Sequence, residues 1–461
     1  MALNLSEYVA SLKNETVAIC GLGVSNLPLA QLLLAAGCNV TIRDKRDRAA
    51  LGESAQDMES KGAKLRLGAS YMDDLTESVI FRTPGIMPHS KPIADAVTHG
   101  SRLTSEMEAF FDVCPCSIIA VTGSDGKTTT TSIIGELLKA AGYTVHIGGN
   151  IGTPLLQRSE SMRRNDIAVL ELSSFQLMTM ERSPDIAIVT NVTPNHLDTH
   201  RDMDEYVAAK RRVFENQTAD GLLIVNNDDV ITREFGDLAR GKVLRFSSNN
   251  RIGSDAFIQD NAIYVANDGK TEPILPLADI LLPGAHNVEH YMAVILATQR
   301  LVPLETVRRV AREFGGVPHR IELVRELRGV RYYNDSIASS PSRTTAGLRS
   351  FDQKVILIAG GKDKGVPFDD LGIEIIEHVK TLVLTGLTAE RIRDSVLRRN
   401  EYSGSPEIII ESDFETAVRR ASAAATTGDV VLLSPASTSF DKFRNFEERG
   451  NTFRNIVNSL E

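Results

Sequence analysis

The chain has 461 residues, a formal net charge of -9 and a pI near 5.6. That length allows about three domains, each with its own core. The acidic balance excludes nucleic acid as the main partner, because a phosphate backbone calls for a basic surface. No apolar run approaches the ~20 residues that span a bilayer, and the N-terminus lacks the basic start and apolar middle of a signal peptide. Cys20, Cys38, Cys114 and Cys116 have no zinc-like spacing. Reduced thiols and a cytoplasmic location are therefore expected, with the Cys114-Pro-Cys116 pair read as incidental.

Apolar strands alternate with helical patterns along the chain, which predicts an α/β fold with largely parallel sheets. The first strand, 16–20, runs into Gly21-Leu-Gly23-Val-Ser25-Asn26 and a helix, and the second, 39–43, ends at Asp44. This pairing looks like a dinucleotide fingerprint, with Asp44 near the offset of a ribose-binding acid. However, Asn26 stands in place of the third glycine and Pro28 lies in the helix's first turn. A nucleotide diphosphate held by the same physics fits better than NAD, and a tight turn that needs glycine for its own sake stays open. A further strand at 79–81 leads into Thr83-Pro84-Gly85.

A second unit opens near Ser117, with strands at 167–171, 186–190 and 221–226. The stretch 242–276 reads as short β segments rich in turn residues, which predicts a small side sheet. A third unit follows Gly315-Gly316-Val317-Pro318, with strands near 355–359, 381–384 and 430–433. The expected domains are 1–106, 107–316 and 317–461.

Residues 118–130 read IIAVTGSDGKTTT, an apolar strand entering a glycine-lysine-threonine turn that opens a helix. Such a loop cradles phosphate. The amides of Gly123, Ser124, Asp125 and Gly126 can face the anion, Lys127 can reach the terminal phosphates, and Thr128 offers a hydroxyl to Mg²⁺. Two residues separate the glycines, where the common motif has four. Glu171 closes the next strand, where a carboxylate suits a hard cation. His196 leaves another strand in the same unit and is read either as a metal contact or as a surface histidine. Lys210 shares a helical face with Met203, Tyr206, Val213 and Phe214. A lysine on that stripe must be paired, chemically altered, or snorkelling at the edge.

Together GSDGKTT (123–129), GGNIG (148–152), ELSSFQL (171–177), NVTPNHLD (191–198) and EYVAAK (205–210) resemble the Mur ligases of peptidoglycan synthesis. GLGVSN (21–26), TPGI (83–86), VPHRIE (317–322), YYNDSIAS (332–339), GGKDKG (360–365) and SPASTSFDKFRNFEERG (434–450) are similar to the branch that adds D-glutamate. The resemblance implies three domains: a Rossmann-like UDP-binding domain, a central P-loop ATPase-like domain and a C-terminal Rossmann-like domain. It implies a monomer that uses ATP and two Mg²⁺ ions to join D-glutamate to UDP-N-acetylmuramoyl-L-alanine through an acyl phosphate.

The resemblance also assigns residues. Lys127, His196 and Lys210 would be catalytic, Lys210 as a carbamate. Thr128, Glu171, His196 and Lys210 would surround the metal ions. Thr129, Asn287, Arg320 and Asp335 would join the loop residues 123–128 around ATP. Val24, Ser25, Asp44, Lys45, Arg46, Gly85, Asn150 and His196 would bind the UDP substrate. Ser339, Lys364, Ser439 and Phe446 would bind D-glutamate. Two positions depart from the family: Ile337 replaces a common lysine, for which Lys362 or Lys364 could compensate, and His290 replaces an asparagine beside adenine.

Overall fold

Strand β1 (Thr16–Cys20) is flanked by β2 (Asn39–Asp44) and β4 (Val79–Arg82), and β3 (Lys64–Leu67) and β5 (Arg102–Thr104) complete a sheet ordered β3-β2-β1-β4-β5. Every pairing in it is parallel. Residues Val79 to Arg82 are all buried, as expected of a strand covered on both faces. The structure, a computed structural model, describes residues 3–197, 199–249, 252–267, 269–363 and 366–461.

A second sheet contains β6 (Ser117–Thr122), β7 (Val145–Gly149), β8 (Ile167–Glu171), β9 (Ile186–Val189), β10 (Leu222–Asn226), β11 (Lys242–Ser247), β12 (Ala256–Gln259), β13 (Ala262–Asn267) and β14 (Lys270–Pro276). Its order is β14-β13-β12-β11-β10-β9-β6-β8-β7. The expected separate side sheet over 242–276 is therefore corrected. Strand β11 pairs parallel with β10, and β12, β13 and β14 extend that same edge, the last two antiparallel. Turn residues between the segments read as a break, but the open edge of β10 leaves backbone groups that the next apolar strand satisfies.

The third sheet holds β15 (Glu322–Leu327), β16 (Val330–Asn334), β17 (Val355–Ala359), β18 (Val379–Leu384), β19 (Glu407–Ile410) and β20 (Val430–Leu433) in the order β15-β16-β20-β17-β18-β19. Only the β15–β16 hairpin pairs antiparallel. The α/β architecture with parallel-rich sheets is as expected. The first two sheets lie in one compact unit, which runs to Asp279 and takes in Val288–Val310, and the third lies in a unit of Ile280–Asn287 and Ala311–Glu461. Among the described residues no helix is long and apolar enough to cross a membrane.

Candidate-site residues leave the carboxyl ends of parallel strands, where the next loop is free of the ladder. At the end of β17 this demands a glycine. Gly360 has φ +117°, and a Cβ there would lie 1.8 Å from Thr385 O. Gly428, with φ +95°, has open space around its Cβ position. Gly360→Ala should therefore destabilise the chain by at least about 3 kcal/mol, while Gly428→Ala should cost only about 1 kcal/mol from its backbone conformation. Urea denaturation of the two variants checks the contrast.

Candidate active site

Strand β6 delivers Gly123 into a short loop that opens the helix Lys127–Ala140. The loop is crowded. A Cβ on Gly123 would lie 1.9 Å from Thr190 Oγ1, and one on Gly126, at φ +78°, would lie 2.1 Å from His290 Cε1. His290, one of the two family departures, thus packs on the phosphate loop itself. Two of the amides expected to face phosphate are turned elsewhere: Ser124 N donates to Asn191 O and Asp125 N to Asn191 Oδ1, both at 2.9 Å. With only two residues between its glycines, the loop folds onto the exit of β9, where Thr190 Oγ1 donates to Asp125 O at 2.6 Å.

Two lysines meet at one carbonyl. Lys127 Nζ donates to Gly123 O at 2.9 Å and to Ser124 O at 2.8 Å, and Lys210 Nζ donates to Gly123 O at 2.6 Å. Lys210 is 1% exposed on the helix Met203–Glu215, whose inward stripe includes Tyr206, Val213 and Phe214. Asp202 caps that helix by accepting Glu205 N at 2.8 Å. Burial, and then the neighbouring Lys127 charge, hold the Lys210 amine well below its ordinary pKa, against a smaller opposing pull from Asp125. The structure thus excludes the snorkelling alternative.

Beside the loop, Thr128 Oγ1 donates to Glu171 Oε2 at 2.6 Å, and Asn150 Nδ2 donates to Glu171 Oε1 at 2.7 Å. Glu171 is 2% exposed at the end of β8. A hydroxyl and a carboxylate at this separation are hard oxygen donors of the kind Mg²⁺ takes. As an ammonium, Lys210 can only donate, so it fits a cation site only in a modified form. Thr129 follows in the first turn of the helix. His196 is exposed, with φ +55°, and its ring meets Phe175 edge-on at 5.2 Å. Asn150, assigned to the UDP substrate, is brought to Glu171.

At the ends of β1 and β2 the glycine-rich turn is closed by Asp44, whose Oδ2 accepts Leu22 N at 2.8 Å and whose Oδ1 accepts Arg46 N at 2.9 Å. Arg46 reinforces this with Nη2 at 2.8 Å from Asp44 Oδ2 and 2.9 Å from Leu22 O. Asp44 is therefore a loop anchor, held below the usual carboxylate range by these hydrogen bonds against the opposing effect of burial. Val24, Lys45 and Gly85 are exposed and Ser25 is half-buried, so this turn and the loop after β4 present an open surface.

In the second unit Asp335, 4% exposed, follows β16 and accepts Ser434 Oγ at 2.7 Å and Ile321 N at 3.3 Å. Arg320 lies on the turn before β15, whose neighbours His319 and Ile321 have φ of +65° and +44°. Asn287 is buried, and its amide donates to Pro283 O at 2.6 Å. Ser339 is half-buried, Ser439 is 2% exposed, and half-buried Phe446 meets His319 edge-on at 6.0 Å. Lys364 lies outside the described residues.

Sequence reasoning missed Arg449, 2% exposed. It donates to Ser336 Oγ at 3.0 Å, Ser336 O at 2.9 Å and Ser437 O at 3.1 Å, tying together the loops after β16 and β20. Its place in the FEERG run was the available signal. Arg343 was also missed; its Nη1 donates to Ile337 O at 3.3 Å, and nothing in its own sequence context marked it. His200 was passed over beside His196.

Burial pushes the Asp335 carboxyl up to about 7, with Ser434 and Arg320 opposing. The folded chain therefore holds this proton more tightly than the unfolded chain, so the contribution is present below the unfolded pKa and lost as pH rises through the folded one. Relative to Asp335→Asn, the parent should lose roughly 3 kcal/mol of stability between pH 5 and pH 8, at about 1.36 kcal/mol per unit. Urea denaturation at the two pH values measures it.

Comparison with known proteins joins these sites into one family pattern. Residues 121–298 match the Mur ligase middle domain, and residues 319–437 match the Mur ligase glutamate ligase domain. The chain is 49% identical, over 100% of both chains, to a UDP-N-acetylmuramoylalanine--D-glutamate ligase of Acetivibrio thermocellus. It is 46% identical, over 99% of both, to the ligase of the same description from Ruminiclostridium cellulolyticum. Among solved structures, the UDP-N-acetylmuramate-alanine ligase of Thermotoga maritima shares the fold with a TM-score of 0.57 at 18% identity, covering 97% of this chain and 100% of that one. The MurF ligase of Thermotoga maritima, solved in complex with ADP, gives 0.54 at 18% identity over 98% and 96%. A phosphate loop with two lysines on one carbonyl, matched along the full length to such relatives, leaves one conclusion: the chain belongs to the Mur ligase family.

Proposed function

We propose that this protein is an ATP-dependent ligase that joins D-glutamate to UDP-N-acetylmuramoyl-L-alanine, a step in peptidoglycan precursor synthesis. The observation that carries the reading is the convergence of Lys127 and Lys210 on Gly123 O beside the Thr128–Glu171 pair. In a Mur ligase this is where phosphoryl transfer occurs. The acceptor's carboxylate oxygen attacks the γ-phosphorus of ATP, the bond to ADP breaks, and an acyl phosphate forms. The D-glutamate amine then adds to the acyl carbon. The tetrahedral adduct loses a proton from nitrogen and expels phosphate, leaving the amide.

Each residue has a role in that sequence. Lys127 releases its loop carbonyls and follows the transferring phosphoryl oxygens, where preorganised positive charge lowers the barrier most. Mg²⁺, when bound, supplies further stabilisation of charge on those oxygens. Thr128 and Glu171 would hold one of two ions, with His196 and Lys210 at the other. The depressed pKa of Lys210 favours the neutral amine. A neutral amine adds CO₂ and loses a proton to become a carbamate, turning a buried donor into an anion that balances Lys127. Gly123, Ser124, Asp125, Gly126 and Thr129, together with Asn287, Arg320 and Asp335, are assigned to ATP. Val24, Ser25, Lys45, Arg46 and Gly85 are assigned to the UDP substrate, with Asp44 shaping their loop and Asn150 acting from Glu171. Ser339, Lys364, Ser439 and Phe446 are assigned to D-glutamate.

The domain reading follows the same logic: a Rossmann-like UDP-binding domain over 1–106, a P-loop ATP-binding domain over 107–316 and a Rossmann-like amino-acid domain over 317–461. The enzyme would act as a monomer in the cytoplasm.

Phosphate release with ATP, Mg²⁺ and UDP-N-acetylmuramoyl-L-alanine is the test, comparing D-glutamate with L-glutamate, L-alanine and no amino acid. Turnover with D-glutamate alone is expected. Turnover with another amino acid would overturn the assignment of Ser339, Lys364, Ser439 and Phe446. Lys210→Ala should lower turnover at least about 10²-fold while ATP binding by calorimetry stays largely intact, and short carboxylic acids should restore part of the activity. Full activity in this variant would rule out the carbamate.

A further inference from the structure

His200 stands outside every role assigned above, yet it touches the segment after Glu171, the loop of His196 and the helix of Lys210. Its side chain is fully enclosed. The ring stacks on Phe175 with centroids 4.8 Å apart and planes 6° from parallel, and it meets Tyr206 edge-on at 5.2 Å. Its Nε2 lies 2.9 Å from Ser174 Oγ, and its backbone N–H donates to His196 O at 2.9 Å.

Each neighbour leads to a reacting group. Ser174 and Phe175 follow Glu171 by three and four positions, and Phe175 also carries the ring of His196 at 5.2 Å. Tyr206 lies under Lys210, whose Nζ is 4.6 Å from the ring centroid, and its hydroxyl is 2.8 Å from Ser124 Oγ in the phosphate loop. Phe175 is held through its backbone as well. Arg82, 1% exposed at the end of β4, donates to Phe175 O at 2.5 Å. On the helix Met203–Glu215, Glu205 Oε2 is 3.3 Å from His200 Nδ1, and its other oxygen is 3.3 Å from His89 Nδ1 and 2.7 Å from Arg201 Nε.

We propose that His200 is a positioning residue: its ring, clamped between Phe175 and Tyr206, fixes His196 and Lys210 relative to Gly123 and Glu171. The proposal rests on the ligase reading for which those four residues matter. A flat, rigid ring suits this task. Two aromatic partners set its plane and tilt, and Ser174 Oγ at Nε2 with Glu205 Oε2 at Nδ1 sets its rotation, so the spacing between the β8 exit and the helix is held by contact on both sides. An aliphatic side chain of similar volume would fill the space without fixing the angle. Burial lowers the imidazole pKa, with Glu205 opposing.

The test uses the full chain and compares parent, His200→Ala and His200→Phe. The readouts are kcat, the KM values for ATP and acceptor, the calorimetric Kd for ATP, and the thermal midpoint. His200→Ala should lower kcat about 10- to 100-fold, as small displacements of reacting groups do, with ATP Kd and both KM values within about threefold of the parent. His200→Phe keeps the stack and should recover kcat to within about threefold of the parent. A His200→Ala kcat within twofold of the parent overturns the proposal, as does a loss confined to KM. If His200→Ala does not fold, His200→Phe decides: a folded variant with kcat lowered more than tenfold overturns positioning by the ring. A parent without D-glutamate-dependent turnover would instead overturn the ligase reading.

Discussion

Gly123 O accepts both Lys127 and Lys210, at 2.9 and 2.6 Å, and the arrangement of the candidate site depends on that convergence. Two ammonium groups cannot share a carbonyl away from water without cost. One of them must lose its proton, gain a counter-charge, or move toward an anion. Lys127, half-exposed, can move. Lys210 is enclosed, and burial lowers the pKa of its amine well below the ordinary value. The direction of each lysine's adjustment follows from its burial.

The same economy governs the acids. Glu171 gives one oxygen to Thr128 and the other to Asn150, so its orientation is set before any cation is bound. Asp335, in the second unit, is pushed by burial up to about 7, against the hydrogen bonds from Ser434 and Ile321 N. Asp44 is fully engaged by Leu22 N and Arg46 and shapes a turn. Three carboxylates that look alike at strand ends differ in chemistry because their partners differ. An acid whose oxygens are already filled with donors has little left for a ligand.

Much of the site could be read in advance because the relevant spacings are local. The run 118–130 dictates strand, loop and helix by its own pattern, and the helical period alone puts Lys210 on the inward face with Tyr206, Val213 and Phe214. Glu171 was legible as the polar end of an apolar strand. By contrast, 242–276 was misread as a separate sheet because its turn residues are local, while the edge of β10 that receives β11 lies elsewhere in the chain. His200 was passed over because a stack against Phe175 and Tyr206 leaves no periodic trace.

By itself the sequence determined the α/β class, the phosphate loop, the inward lysine and the order of the motif blocks, since each follows from residues a few positions apart. Only the tertiary structure decided which groups meet: Asn191 with the loop amides, His290 with Gly126, Asn150 with Glu171, and Arg449 across the loops after β16 and β20. Those pairings join residues up to 164 positions apart, as His290 and Gly126 are. Hydrogen-bond satisfaction and close packing select them only once the strands have taken their places in the sheets.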